Sequence, residues 1–142
     1  MGKSKTLVIV SGYFNPVHKG HIDYLRRSKE LGDELFVIVN NDYQRALKGS
    51  TEFMKEEERY EIVSNLKPVD WTIIAIDKDR EVAKTVQLIY ETHKDNYGKF
   101  IFANGGDQLT HSISEKSMCD KLGIEMIFGM GDKIQSSSWL LK

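Results

Sequence analysis

Five short apolar runs recur along the chain, separated by longer polar stretches. Each run has four to six residues and is rich in β-branched or aromatic side chains. Such a run is typical of a strand buried on both faces of a sheet. The runs are Leu7–Val10, Leu35–Val39, Trp71–Ile76, Phe100–Ala103 and Ile124–Phe128. Strands that alternate with helices predict right-handed βαβ crossovers. The pattern therefore predicts an α/β fold, a single-domain Rossmann-like five-stranded parallel sheet with helices on both faces.

The stretch after the first run predicts a helix that ends near Gly32. Ile22, Leu25 and Leu31 share one side of the helical period, and charged residues occupy the other side. Gly32 stands where a C-terminal cap glycine would. We therefore expect the apolar side of this helix to face the sheet.

Three later stretches differ in their helical signal. Residues 40–51 are polar and predict a mobile loop or a short irregular helix. Residues 55–63 begin acidic and become amphipathic, which favours a helix with its first turn at the acidic end. Residues 80–93 carry apolar side chains at helical spacing and predict a covering helix.

Composition limits the classes of protein. At 142 residues and 40% hydrophobic content, we expect one domain over residues 1–142. The single cysteine, Cys119, excludes an internal disulfide, and no apolar run has the length of a membrane span. We expect a soluble, cytoplasmic protein. Its 20 basic and 21 acidic residues give no electrostatic footprint for nucleic acid.

The candidate chemistry begins in the turn between the first run and the first helix. His18 and His21 would lie at neighbouring positions of the first helical turn, and Gly20 between them lets a ligand approach the backbone. The first N–H groups of a helix attract anions, and Lys19 adds positive charge. The turn therefore suits a phosphate whose charge increases during a reaction.

Two more polar stretches follow the fourth and fifth runs. Gly105 and Gly106 would let a ligand approach the backbone, and the Asp107 carboxylate could accept hydrogen bonds from a sugar or a base, or cap the next helix. Residues 136–138, three serines, are typical of a capped helix start that faces an anion. All three stretches would meet at the carboxyl edge of one parallel sheet, where such folds bind ligands.

The residues Gly12–Asn15, followed by His18–His21, resemble the signature of the cytidylyltransferase-like nucleotidyltransferases. This group includes glycerol-3-phosphate cytidylyltransferase and the heptose phosphate adenylyltransferases. The resemblance implies that a phosphate oxygen of a small acceptor, such as a polyol or sugar phosphate, attacks the α-phosphorus of CTP or ATP and releases pyrophosphate. It also allows a homodimer.

The resemblance also implies roles for individual residues. His18 and His21 would contact the reacting and leaving phosphates, and Lys48 would support the α-phosphate. A Mg²⁺ ion would bridge triphosphate oxygens and keep few protein ligands. The implied nucleotide-binding residues are Gly12, Tyr13, Phe14, Asn15, Gly20, Arg59, Gly106, Asp107, Gln135, Ser136, Ser137 and Ser138.

Three positions depart from the usual family pattern. Tyr13 stands where a small hydroxyl residue is common, Asn15 where the cytidylyltransferases often have Asp, and Lys133 where an Arg is frequent. Tyr13 would reshape the acceptor pocket. Both the base and the acceptor therefore stay open.

Simpler interpretations exist for several side chains. Lys48 could be a solvated loop charge, and Arg59 could pair with Glu56 or another nearby Glu. Trp71 favours packing over base stacking, and His93 fits the negative end of a helix dipole better than a ligand role.

Two other functions compete with transfer. A nucleotide-binding sensor domain without turnover would use the same site. A zinc module could use His18 and His21, but the other strong ligands, Cys119, His93 and His111, have unhelpful spacing.

Overall fold

A five-stranded parallel sheet organises the part of the chain that the structure describes. The structure is a computed structural model that describes residues 5–49, 51, 53–79, 81–104 and 113–127. The strands are β1 (Thr6–Gly12), β2 (Glu34–Val39), β3 (Trp71–Ile74), β4 (Lys99–Ala103) and β5 (Glu125–Ile127). Their order across the sheet is β3-β2-β1-β4-β5.

Five helices accompany these strands in the described residues. They are α1 (Lys19–Lys29), α2 (Asp42–Lys48), α3 (Glu56–Ser64), α4 (Ala83–His93) and α5 (Ile113–Leu122). In the described ranges, none of the helices has the length and apolar character needed to cross a membrane.

The two faces of the sheet carry separate hydrophobic cores. Successive side chains of a strand point to opposite faces, so Leu7 and Ile9 join one core while Val8 and Val10 join the other. The first core includes side chains from α4 and α5, such as Val86 and Cys119; the second includes side chains from α1 and α3, such as Leu25 and Val63. The predicted fold class is therefore confirmed.

The third strand is shorter than its apolar run. β3 ends at Ile74, and the Ile76 side chain beyond it is 49% exposed. The last residue of the fifth run, Phe128, lies outside the described residues. The other strand boundaries agree with the predicted runs to within two residues.

The prediction that Gly32 caps the first helix is wrong. α1 ends at Lys29 with Glu30 as its cap, and the glycines with positive φ in the described residues are Gly49 and Gly123. A Cβ at Gly32 would lie 2.8 Å from Val8 Cγ2 and 2.9 Å from Thr6 O. Gly32 is therefore required by its close approach to β1. Ile22 also departs from the predicted apolar face, because its side chain is 37% exposed.

The strand order locates the place where ligands bind in such folds. The chain runs from β1 outward to β2 and β3, then returns to β4 on the other side of β1. The connections after β1 and β4 therefore leave the sheet in opposite directions. This switch point opens a crevice at the carboxyl ends of β1 and β4.

Candidate active site

The turn that follows β1 is shaped by Phe14. Its φ is 51°, a left-handed value that is uncommon for a bulky residue, and its ring is fully buried. A Cβ at Gly12 would come within 2.8 Å of this ring. The spacing of Gly12 and Phe14 therefore has a packing reason, because only glycine leaves room for the ring.

His18 and His21 together cap the start of α1. Nδ1 of His18 accepts a hydrogen bond from the Gly20 N–H at 3.0 Å, and Nδ1 of His21 accepts one from the His18 N–H at 3.1 Å. The two ring centroids are 3.9 Å apart, and the Phe14 ring lies 4.9 Å from that of His21. The predicted neighbouring positions of the two histidines are confirmed.

These hydrogen bonds fix the protonation of both rings. A nitrogen that accepts a hydrogen bond carries no proton, so each neutral ring holds its proton on Nε2. Burial lowers the pKa of His18. Burial, followed by the charges of His18 and Lys48, lowers the pKa of His21 to about 3. Near neutral pH the pair therefore presents two Nε2–H groups without net charge.

Lys48 brings a permanent positive charge to the same place. It is the last residue of α2, and its Nζ lies 4.3 Å from the centroid of the Tyr13 ring. Gly49, with φ of 84°, ends the helix directly after it. The effect of Lys48 on the pKa of His21 shows that the amine and the histidine pair interact electrostatically.

Residues 42–48 form a short helix, so of the two predicted alternatives the loop is wrong and the short helix is confirmed, although the helix is regular. Asn41 caps the first turn by accepting from the Gln44 N–H, and Gln44 Oε1 accepts in return from the Asn41 N–H. The Asx run after the second strand, Asn40 to Asp42, is the sequence signal that could have indicated this capped start.

Arg59 lies in α3 with its side chain fully buried. Its Nη1 donates to the carbonyls of Tyr13, at 2.8 Å, and Asn40, at 2.7 Å. Nε donates to Met54 O at 3.0 Å, and Nη2 donates to Asp42 Oδ1 at 2.7 Å. The guanidinium therefore ties together the segments that follow β1 and β2 and the segment that precedes α3.

The contacts of Arg59 bear on both interpretations of this residue. Its carboxylate partner is Asp42, so the alternative in which Arg59 pairs with Glu56 or another nearby Glu is wrong. Glu56 instead accepts a hydrogen bond from the Asp42 N–H at 2.7 Å. A direct contact with nucleotide stays a prediction, and the described contacts are those of a positioning residue. Asp42 is the partner that sequence reasoning missed.

Asn15 holds the segment that leads to α3. Its Oδ1 accepts from the N–H groups of Phe53 and Met54, each at 3.0 Å, and its Nδ2 donates to Thr51 O at 2.9 Å. This residue was expected to bind nucleotide, and that contact also stays a prediction. Its described role is to join two loops of the site.

A buried tyrosine joins α1 to the switch point. The Tyr24 hydroxyl donates to the carbonyl of Ala103, the last residue of β4, at 2.9 Å. Burial raises the pKa of this hydroxyl, so it remains a donor. Gly20, in the same helix, is buried at the start of α1. The helix that carries the histidines is thereby fixed to β4.

The remaining predicted residues lie elsewhere. Gly106, Asp107, Gln135, Ser136, Ser137 and Ser138 fall outside the described residues. Trp71 stacks on Phe36 and contacts His93, at centroid distances of 6.0 and 5.2 Å. Its packing role is confirmed, as is the position of His93 at the C-terminal end of α4.

Within the described ranges, no three His, Cys, Asp or Glu side chains come together as a metal site. Cys119 lies in α5 with its side chain buried in the core, and burial raises its pKa to about 12. Such a thiol is a poor source of the thiolate that zinc requires.

Comparison with known proteins agrees with the geometry of the turn. The family model described as cytidylyltransferase-like matches residues 9–135. The chain belongs to the cytidylyltransferase-like family. Over 134 residues, this family member is 41% identical to an FAD synthase of Methanosphaerula palustris, which covers 92% of this chain and 81% of the relative. It is also 38% identical over 117 residues to an FAD synthase of Thermoplasma acidophilum. This match covers 82% of this chain and 75% of the relative.

A solved structure supports the same assignment. The lipopolysaccharide core biosynthesis protein of Thermoplasma volcanium matches this cytidylyltransferase-like chain with a TM-score of 0.69 and 31% identity, covering 88% of this chain and 96% of that one. The protein is thus an enzyme of the nucleotidyltransferase class, which transfers a nucleotidyl group to a phosphorylated molecule.

Proposed function

We propose that this enzyme makes FAD by transferring the adenylyl group of ATP to the phosphate of FMN. One observation carries the transfer chemistry: two neutral histidines with their protons on Nε2 lie beside the cationic Lys48 at the switch point. The choice of substrates rests on the relatives named FAD synthase. They favour ATP over CTP, and FMN over the polyol or sugar phosphate that the sequence first indicated.

The reaction needs alignment and charge stabilisation. A phosphate oxygen of FMN attacks the α-phosphorus of ATP, a new P–O bond forms, and the bond to the pyrophosphate breaks. The FMN phosphate is already ionised, so no proton has to be removed from it. Negative charge moves onto the leaving pyrophosphate, where fixed hydrogen-bond donors have their largest effect.

The neutral state of the histidines suits this task. Two imidazolium ions with ring centroids 3.9 Å apart would repel each other strongly. Their Nδ1 atoms are also committed to backbone N–H groups, which a protonated ring could not accept from. The pair therefore acts by hydrogen bonding through Nε2–H, while Lys48 supplies the positive charge.

A Mg²⁺ ion remains part of the proposal. The ion takes oxygen ligands, and the Asp42 carboxylate near this edge is already engaged by Arg59 and by the Glu56 N–H. Oxygens of the triphosphate and water would therefore hold most of the ion. When bound, Mg²⁺ would neutralise charge on the triphosphate oxygens.

Other parts of the proposal rest on family resemblance. Gly106 and Asp107 would contact the nucleoside, and Gln135 with the serines of 136–138 would hold the leaving pyrophosphate. A homodimer and a cytoplasmic location also stay predictions, as does a single domain over residues 1–142.

A sugar phosphate is the second candidate acceptor. The solved structure from Thermoplasma volcanium is described as a lipopolysaccharide core biosynthesis protein. A sensor domain that binds nucleotide without turnover is the non-catalytic alternative.

The test is a pyrophosphate-release assay with Mg²⁺. The four ribonucleoside triphosphates would be crossed with FMN, glycerol phosphate and a panel of sugar phosphates. We expect turnover with ATP and FMN, with FAD identified as the product by chromatography. Turnover only with a sugar or polyol phosphate would replace the FMN proposal, and binding of ATP without any turnover would favour the sensor.

A further inference from the structure

Phe53 is the most exposed of the large hydrophobic side chains in the described residues, at 70%. The backbone around it is held firmly. Asn15 binds the N–H groups of Phe53 and Met54 and the carbonyl of Thr51, and Arg59 Nε binds the carbonyl of Met54. An exposed aromatic ring on a fixed backbone offers a preorganised apolar face that a planar ligand can contact.

The segment is anchored to the active-site turn. Asn15 directly follows Phe14, whose ring contacts that of His21. The segment also begins two residues after Gly49, which ends the helix that carries Lys48. Phe53 therefore belongs to the loop between Lys48 and α3, and this loop is bound to the turn that carries the histidines.

The amide of Asn15 is suited to this anchoring. Its Oδ1 atom accepts hydrogen bonds from two N–H groups through its two lone pairs, and its Nδ2 donates one hydrogen bond to Thr51 O. An aspartate could accept the same two hydrogen bonds, but it has no donor for the Thr51 carbonyl. The amide at position 15, which departs from the usual Asp, therefore adds a third connection to the segment.

Building on the proposed function, we propose that Phe53 forms an aromatic wall of the acceptor subsite and that Asn15 positions it. FMN carries a phosphate and a planar isoalloxazine ring, joined by a flexible ribityl chain. With the phosphate at Lys48 and the histidines, the ring needs an apolar face at some distance from the charge. Phe53 offers such a face, and a polyol phosphate or sugar phosphate has no ring to use it.

The experiment separates FMN binding from ATP binding. Wild type, Phe53→Ala and Phe53→Tyr would be compared in steady-state assays that vary FMN and ATP in turn. Isothermal titration calorimetry with FMN would measure binding directly. We expect Phe53→Ala to raise KM for FMN about tenfold, to weaken FMN binding by a similar factor, and to change KM for ATP by no more than about twofold. Phe53→Tyr keeps an aromatic face and should behave like wild type.

Tyr60→Ala is the matched control, because it removes an exposed aromatic ring from α3. We expect it to leave KM for FMN within about twofold of wild type. An equal rise in KM for FMN in Tyr60→Ala would overturn the specific role of Phe53.

Asn15→Ala tests the positioning role, because it removes the acceptor for the N–H groups of Phe53 and Met54. We expect KM for FMN to rise in the same direction as in Phe53→Ala, and the amide hydrogens of Phe53 and Met54 to exchange with solvent faster. Unchanged exchange in this variant would overturn the role of the Asn15 amide.

The outcomes distinguish this inference from the proposed function. If wild type makes FAD while Phe53→Ala retains its KM for FMN, the aromatic wall is wrong and the proposed function stands. If wild type neither binds FMN nor makes FAD, the proposed function fails and the inference fails with it.

Discussion

The two edges of the sheet both gather histidines and aromatic rings, but they use them differently. At the amino edge, Trp71, His93 and Tyr97 surround Glu34 in what we term the amino-edge cluster. Its hydrogen bonds converge on one carboxylate: Glu34 accepts from Trp71 Nε1 at 3.0 Å and from the Tyr97 hydroxyl. The hydrogen bond from Trp71, followed by that from Tyr97, lowers the pKa of Glu34 to about 2.

His93 serves the amino-edge cluster by packing. Its ring lies 5.6 Å from that of Phe36 and 6.2 Å from that of Tyr97, in edge contacts. At the carboxyl edge, by contrast, each imidazole of the His18–His21 pair uses one ring nitrogen to accept a hydrogen bond from a backbone N–H. The comparison teaches that the fixed hydrogen bond, more than the residue type or its aromatic neighbours, distinguishes a candidate catalytic histidine.

The largest expected effect concerns Arg59. Arg59→Ala removes a buried donor group for three backbone carbonyls and for Asp42, and we expect a loss of about 3–5 kcal/mol in the free energy of unfolding, measured with urea. Lys5→Ala removes a half-exposed ion pair to Glu34 at the amino edge and should cost at most about 1 kcal/mol. Equal losses of unfolding free energy in the two variants would show that the greater burial of Arg59 does not make its contacts more stabilising than those of Lys5.

The next effect tests the histidines themselves. His18→Asn keeps an N-cap acceptor but removes the Nε2–H, so we expect turnover to fall by about 10²-fold to 10³-fold while the fold persists. The same fall is expected for His18→Ala and His21→Ala. The assay is pyrophosphate release, with circular dichroism to confirm folding.

His93→Ala is the control for these variants, and its turnover should stay within about twofold of wild type. A loss in His93→Ala as large as that in His18→Asn would break the contrast between the edges. Most of the activity surviving in His18→Asn would remove that histidine from catalysis.

A smaller effect concerns pH and stability. His21 stays neutral in the folded protein down to about pH 3, whereas in the unfolded chain it gains a proton below about 6.5. The unfolded state then binds more protons, so stability falls as pH falls from 6.5 toward 3. Wild type should lose up to about 1.4 kcal/mol more per pH unit than His21→Gln, measured by urea unfolding across this range.

The amino edge gives a separate window for the same measurement. The lowered pKa of Glu34 contributes stability that is fully present above 4.5 and is lost as pH falls toward 2. Between pH 4.5 and 6.5, the change in unfolding free energy with pH therefore reports on the histidines without a contribution from Glu34. Identical slopes for wild type and His21→Gln in that interval would contradict a lowered pKa for His21.

The smallest effect is expected at Tyr97. Tyr97→Phe removes one hydrogen bond to Glu34 and should cost about 0.5–1.5 kcal/mol in the free energy of unfolding, with turnover unchanged. Urea unfolding and the pyrophosphate assay measure the two quantities. A tenfold loss of turnover would mean that the amino-edge cluster influences the distant site.

Local patterns predicted the elements but not their long-range contacts. The apolar runs predicted the strands most clearly where a run is buried on both faces of the sheet, as with Leu7 to Val10. The histidine turn was likewise readable, because its chemistry depends on neighbours in the sequence. The strand order β3-β2-β1-β4-β5 was not predicted, since it depends on pairing between distant segments.

Single residues show the same limit. Gly32 looked like a helix cap because the sequence does not reveal its contact with Thr6 and Val8. The hydrogen bonds of Arg59 and Asn15 within the protein were not predicted, because their partners lie far away along the chain. The helix α2 was predicted only as an alternative to a loop, because it is short and polar and its stability comes from its two caps.

The connections made by Asn15 and Arg59 also have a consequence for folding. Asn15 and Thr51 are separated by 36 positions, and Arg59 and Tyr13 by 46. These loops have to close, at a cost in chain entropy, before the connections can form. During synthesis, the histidine motif therefore leaves the ribosome well before the residues that hold its turn in place. We expect a fragment that ends before α3 to keep the motif but lose its shape.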